Sequence, residues 1–201
     1  MKQTTRTTFL TPDRLPSWVE RFAAAHGGLA STEDTDDGVL LAMQDGSTAL
    51  LSPPWPDDGR PGRGAGLVKR LVSLASQERR FALVLVRRGG YAVGVASAGT
   101  LLFHKVGSVS ARSRGGNQAS AVVERVGAEA GRIFAGHGFE YLATGGDKQL
   151  VEQTLGSPGL RKYSSLPRLE PLAITDPNMA VLTRAAADFC AVRVRILDTS
   201  R

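Results

Sequence analysis

Three apolar runs follow one another almost without interruption in the middle of the chain, and they limit its fold more than any other feature. They are RFALVLVRR (80–88), YAVGVASA (91–98) and TLLFHKVG (100–107), parted only by Gly89-Gly90 and by Gly99. Each has the length and the β-branched or aromatic content of a strand, and connections this short join only antiparallel neighbours. The stretch predicts a three-stranded antiparallel meander. Beyond it the pattern alternates. ASAVVERVGAEAGRIFAGHG (119–138) reads as a long helix, FEYLATGG (139–146) as a strand and DKQLVEQTLG (147–156) as a helix. LEPLAI (169–174) is a candidate strand, DPNMAVLTRAAADFCA (176–191) a helix started by Asp176 and Pro177, and VRVRILD (192–198) a closing strand. A meander leading into alternating helices and strands implies an α/β domain, built on a mixed sheet covered by helices.

The segment ahead of the meander is of a different kind. TPDRLPSWVERFAAAHGG (11–28) reads as a helix with Thr11 as N-cap, Pro12 in its first turn and Gly27 and Gly28 ending it; Leu15, Trp18 and Phe22 share one face. VLLAMQDGSTALLS (39–52) pairs two apolar runs around Asp45-Gly46, a hairpin signal. PPWPDDGRPGRGAG (53–66) breaks both helix and strand, and the expected boundary falls there: an N-terminal helix, hairpin and linker over 1–65, and a main domain over 66–201 opened by the one-faced helix LVKRLVSLASQE. Trp55, set between prolines, reads as the pin that holds this linker to the core. The first residues, MKQTTRTTFLTPDR, lack the apolar core of a signal peptide, and no apolar stretch reaches membrane-spanning length, so a cytoplasmic protein with no membrane contact is expected. One cysteine, Cys190, reads as a small core residue, and with three scattered histidines it offers no metal-site spacing.

Charge is segregated along the chain. Residues 1–60 hold nine acids against five bases, whereas 61–201 hold ten acids against twenty, so the net +6 conceals a local +10. From Arg79 to Val123 there are seven Arg or Lys residues and no Asp or Glu. An acid-free block is what a surface needs if it is to approach phosphates without repelling them. The second part is therefore the candidate RNA-facing part.

The order of elements fits a ribonuclease-H-like layout, which by itself fixes no function. A metal-dependent nuclease needs several converging carboxylates, and the three leading strands contain none. What stands out is SARSRGGNQASAVV (110–123), between the third strand and the long helix. Gly115-Gly116 admits backbone conformations closed to other residues, or close approach to a partner. Arg112 and Arg114 precede that pair, and Gln118 stands near the helix N-terminus, where free N–H groups favour anionic or oxyanionic ligands. A glutamine does not titrate and cannot be a general base. It can hold a water by donating and accepting hydrogen bonds together, a gain through positioning.

The run RSRGGNQASAVVERVGAEA resembles the Gly-Gly-Gln loop of archaeal and eukaryotic class I peptide-release factors, whose central domain is ribonuclease-H-like. It is more similar still to their release-factor-like relatives, the Vms-type peptidyl-tRNA hydrolases of ribosome-associated quality control, which carry a spacer between the glycines and the glutamine; Asn117 would be that spacer. The resemblance covers roughly residues 79–197 in element order and includes YLATGGDKQLVEQTL, where Gly145, Gly146 and Lys148 mark a turn from strand to helix. It implies hydrolysis of the ester joining a nascent peptide to tRNA, on stalled ribosomes or large subunits and independent of stop codons. Gln118 would position the water and Gly115 and Gly116 would let the loop enter the RNA cavity. Arg112, Arg114, Asn117, Lys105 and Lys148 would meet RNA, with no metal or cofactor. The implied partners are the large ribosomal subunit, its RNA and the acceptor end of peptidyl-tRNA, approached by a monomer. The resemblance is to a minimal bacterial version, expected to lack a stop-codon-reading domain, a GTPase-binding domain and a zinc finger. Two alternatives stay open, a non-catalytic ribosome- or RNA-binding module in which Asn117 disrupts the loop, and a hydrolase of free peptidyl-tRNA. For Lys148 a plain helix start competes with a phosphate contact. His104 reads as a half-buried strand residue, and His137 and His26 as residues of helix-ending turns.

Overall fold

The computed structural model describes residues 2–108 and 118–200, which fall into two compact units, Met1–Gln77 with Cys190–Arg201 and Glu78–Phe189. The chain thus leaves the first unit, builds the second, and returns.

In the first unit, β1 (Lys2–Leu10), α1 (Leu15–Ala25), β2 (Leu29–Thr35), β3 (Gly38–Met43), β4 (Thr48–Ser52) and α2 (Leu67–Ala75) are joined by β9 (Val192–Ser200). The strands form an antiparallel sheet in the order β1-β9-β4-β3-β2. Alternation puts Val39, Leu41, Ala49, Leu51, Val194 and Ile196 on one face, where they are buried against Leu15 and Phe22 of α1 and Leu71 and Ala75 of α2. The expected boundary at residues 65/66 is therefore displaced: α2 and the last strand complete the N-terminal core, and that part is a five-stranded layer rather than a small extension. The predicted hairpin is present, with Gly46 at φ +85°. Ser47 N donates to Asp45 Oδ1 at 2.9 Å, and His26 Nδ1 lies 2.8 Å from Asp45 Oδ2. The Ser47 bond first, and the His26 contact second, hold the Asp45 carboxyl below its ordinary pKa. Trp55 is buried, as its setting implies.

Helix α1 starts later than the Thr11 cap predicts. Arg14 is its N-cap and Pro16 sits in the first turn, while Thr11 and Pro12 form a preceding turn in which Arg14 N donates to the Thr11 carbonyl. A helix begun at Pro12 would place Pro16 in its interior, without the N–H that position must donate.

The second unit holds β5 (Arg80–Arg87), β6 (Gly90–Ser97), β7 (Thr100–Ser108), α3 (Gln118–Phe134), β8 (Tyr141–Gly146), α4 (Lys148–Leu155), a single 3-10 turn at Arg161–Tyr163 and α5 (Met179–Phe189). Its sheet runs β7-β6-β5-β8, with β8 parallel to β5 and the rest antiparallel. This is the mixed sheet expected, a meander followed by a helical crossover to a parallel fourth strand. Every residue of β6 is buried, as a strand covered on both faces must be. LEPLAI forms no strand; there are only the isolated parallel bridges Leu142↔Arg168, just ahead of it, and Gly145↔Leu172 within it. Pro171, between them, has no N–H to give a ladder. The cap of α5 is Asn178 rather than Asp176: its Oδ1 accepts from Val181 N at 2.9 Å. His104 is exposed rather than half-buried, and Cys190 is half-buried rather than a core residue.

Candidate functional site

Three strands of the second sheet finish together at one of its ends. In register, Arg87 pairs with Gly90, Gly90 with Ser108, and Val86 with Gly146, so β5, β7 and β8 all finish there. This is the carboxyl end of the parallel pair, where open α/β sheets present their ligand sites. β7 finishes at Ser108 and α3 opens at Gln118. Arg112, Arg114, Gly115, Gly116 and Asn117 lie outside the described residues, and of Gln118 the backbone alone is described, as the first residue of α3.

Both flanks of this segment are firmly seated. Val122, Val126, Ala130 and Phe134 of α3 recur every fourth residue and are all buried against the sheet. On an adjoining face of α3, Gly127 and Gly131 meet the turn after α4: a Cβ on Gly159 would stand 2.4 Å from the Gly127 carbonyl oxygen. At the end of β7, a Cβ on Gly107 would lie 2.5 Å from Tyr91 Cζ and Oη. The glycine makes room for a fully buried phenol whose hydroxyl has no hydrogen-bond partner among the described residues.

The turn from β8 into α4 is equally constrained. Gly146 has φ +103°, and a Cβ there would be 2.1 Å from the Val86 carbonyl oxygen, so only glycine fits. Asp147 N donates to that same oxygen at 2.8 Å, and the Asp147 carboxylate accepts from Gln149 N and Leu150 N. Two of the free amides of this helix start are thus already taken by a carboxylate. Lys148 is exposed beside it, so its ammonium group is the main element there for a phosphate contact.

Arg87, the last residue of β5, and Arg88, in the β5–β6 turn, share this end of the sheet and were counted in the sequence only as charge. Arg87 is committed to structure: its Nη1 donates to the Ile174 carbonyl at 2.7 Å and its Nε lies 3.7 Å from Asp176 Oδ1. Arg88 is exposed. Its place next to Gly89-Gly90, at the tip of a hairpin whose other end leads to β7, was the available signal. Lys105 is exposed on β7, opposite Val93 and short of the strand's end. A cavity lined by Glu78, Arg80, Ser97 and Glu140 lies at the opposite end of the sheet, where β5 and β8 begin. Among the described residues, no group of three His, Cys, Asp or Glu side chains is placed to hold a metal ion, and no helix is long and apolar enough to cross a membrane.

A sheet of this order fixes no function by itself, and the class comes from the family match: this is a protein of the release-factor-like class. The family model described as the Actinobacteria/chloroflexi VLRF1 release factor matches residues 79–195. The chain belongs to this release-factor family. Among solved structures, that of Archaeoglobus fulgidus Pelota is similar at 12% identity and a TM-score of 0.32, over 92% of this chain and 63% of Pelota, so the chain spans less than two thirds of that protein. None of the curated proteins compared matches the chain.

Proposed function

We propose that the protein is a peptidyl-tRNA hydrolase that frees nascent chains from stalled ribosomes or large subunits without reading a stop codon. The observation that carries this reading is the position of Gln118: it opens α3 at the carboxyl end of the parallel strand pair, where Arg88 and Lys148 are exposed, inside the stretch matched by the release-factor family. In this reading the Gln118 amide holds a water against the ester carbonyl carbon. The water oxygen bonds to that carbon, the carbon–oxygen bond to the tRNA 3′ oxygen breaks, and a proton passes to that oxygen. Backbone N–H groups near the start of α3 face the charge that develops. Gly115 and Gly116 give the loop the slenderness to enter an RNA cavity, while Arg112, Arg114, Asn117, Lys105 and Lys148 contact phosphates or bases. The partners are the large subunit with its RNA and the acceptor end of peptidyl-tRNA, and the protein acts as a monomer in the cytoplasm.

The test is release of a labelled peptide from peptidyl-tRNA on purified large subunits. Wild type is expected to release it, and Gln118→Ala to lose about a hundredfold or more, the scale of a lost positioning contact. Wild type that binds the subunit and releases nothing would replace this reading with a non-catalytic binding module. Equal release with no ribosome present would replace it with a hydrolase of free peptidyl-tRNA.

A further inference from the structure

We propose that Phe103 and His137 form a stacking platform for an unpaired RNA base, with Lys105 taking the adjoining phosphate. This inference rests on the ribosomal reading above but concerns a different surface, the outer strand β7. Phe103 is 45% exposed, an unusual state for so large an apolar ring in a unit that buries Phe81 and Phe134. Its ring lies 3.6 Å from that of His137 with 17° between the planes, a stacked pair bridging β7 and the turn after α3. The remaining aromatic rings of that region, Phe134, Phe139 and Tyr163, pack with one another at 5.1–5.7 Å. Phe103 is not a member of the core cluster on that face.

The register explains why the ring is presented. Val95 pairs with Phe103 but Ala96 pairs with Leu101, so Leu102 is the extra residue of a bulge. After it, Phe103 and Lys105 both point with Val95 and Val93 toward the α3 side, and His104 points to the other. Phe103 and Lys105 are thus about 7 Å apart along one face of an edge strand, two strand residues in sequence. Around His137 the ground is open: a Cβ at Gly136 or Gly138 would meet nothing within 4 Å. No acid occurs from Arg79 to Val123, so β7 itself carries a π face and a cation with no carboxylate between them, the nearby acids Glu78 and Glu140 lying instead in the cavity that Gly138 lines. That pairing of an aromatic face with a nearby cation is how proteins hold single-stranded nucleic acid with little sequence preference.

Equilibrium binding to purified large subunits at fixed salt tests the proposal. Phe103→Ala is expected to weaken binding about tenfold, the scale of one lost base stack, and His137→Ala by a smaller factor in the same direction. Phe103→Trp should bind at least as tightly as wild type. Phe103→Ala that binds like wild type overturns the platform. Because loss of binding could reflect altered packing, a photoreactive benzoylphenylalanine at position 103 supplies an independent reading: crosslinks to ribosomal RNA support the platform, and crosslinks confined to ribosomal protein overturn it. Should wild type release no peptide while Phe103→Ala still binds more weakly and position 103 crosslinks to RNA, the hydrolase reading falls and the platform stands.

Discussion

The contact between α3 and the turn after α4 can be put to a quantitative test with Gly159→Ala. Neither Gly127 nor Gly159 has a left-handed φ, so alanine carries no backbone penalty and the effect is steric. A Cβ at 159 would stand 2.4 Å from the Gly127 carbonyl oxygen and 3.1 Å from its carbon, about 1 Å short of ordinary contact. The obstacle is backbone inside a helix and cannot rotate away. Either α3 or the turn must move by about that amount, and a gap of 0.5–1 Å forfeits roughly a quarter to a half of each dispersion contact it opens. The helix cannot yield freely, because Val122, Val126, Ala130 and Phe134 hold its adjoining face in the core. Overpacking of this kind costs about 1–3 kcal/mol. For a chain of this size that corresponds to a fall in melting temperature of roughly 3–10 °C. Thermal unfolding followed by circular dichroism reads it, with Gly89→Ala as control: that position has no neighbour within 4 Å and should stay within about 0.5 kcal/mol of wild type. Since α3 begins at Gln118, peptide release should fall together with stability. A Gly159→Ala protein that melts with wild type would show that the helix is not pinned at this point.

Three further outcomes are expected. Tyr91→Phe removes a buried hydroxyl that has no partner among the described residues, so stability should hold or rise by about 1 kcal/mol; a lower melting temperature would mean that the hydroxyl is bonded in solution. Asp45→Asn should destabilise the protein at neutral pH. Because the folded Asp45 has a pKa lowered from 3.8 by Ser47 and His26, the stabilisation is complete above that value and is lost as pH falls through the folded pKa, so the gap between variant and wild type should close in acid below about pH 3.8. A gap constant down to pH 2 contradicts this. Arg88→Glu should weaken large-subunit binding and lower the salt dependence by roughly one counterion, as measured by titration at several salt concentrations; an unchanged slope would remove Arg88 from the RNA-facing end.

Legibility in the sequence followed burial. The meander, α3, β8 and α4 were readable because their apolar residues are periodic and their turns are made by glycines. β1 and β2, KQTTRTTFL and LASTEDT, were not, because both are edge strands of the first sheet, and β2 has no buried residue. A strand paired on one side and exposed on its faces needs no hydrophobic alternation. β9 was visible as VRVRILD, but no local pattern names a strand's neighbour, and its place between β1 and β4 is set by packing against helices far away in sequence. At the candidate site, Gln118 and Lys148 could be picked out by motif and by their places at helix starts. The Phe103–His137 pair could not, since it depends on a bulge at Leu102 that turns Phe103 toward residues thirty-odd positions later.

The return of β9 to the first sheet has a consequence for how the chain is made. Among the described residues β1 pairs with β9 and with no other strand, and β9 spans residues 192–200. As the polypeptide is synthesised from its amino end, β1 is the earliest strand to emerge and among the last to find its neighbour. All of Glu78–Phe189 is by then available to fold. Assembly therefore proceeds from the middle outward, and the unit that bears Gln118 can be complete while the amino-terminal layer still waits for β9, the strand that joins β1 to β4.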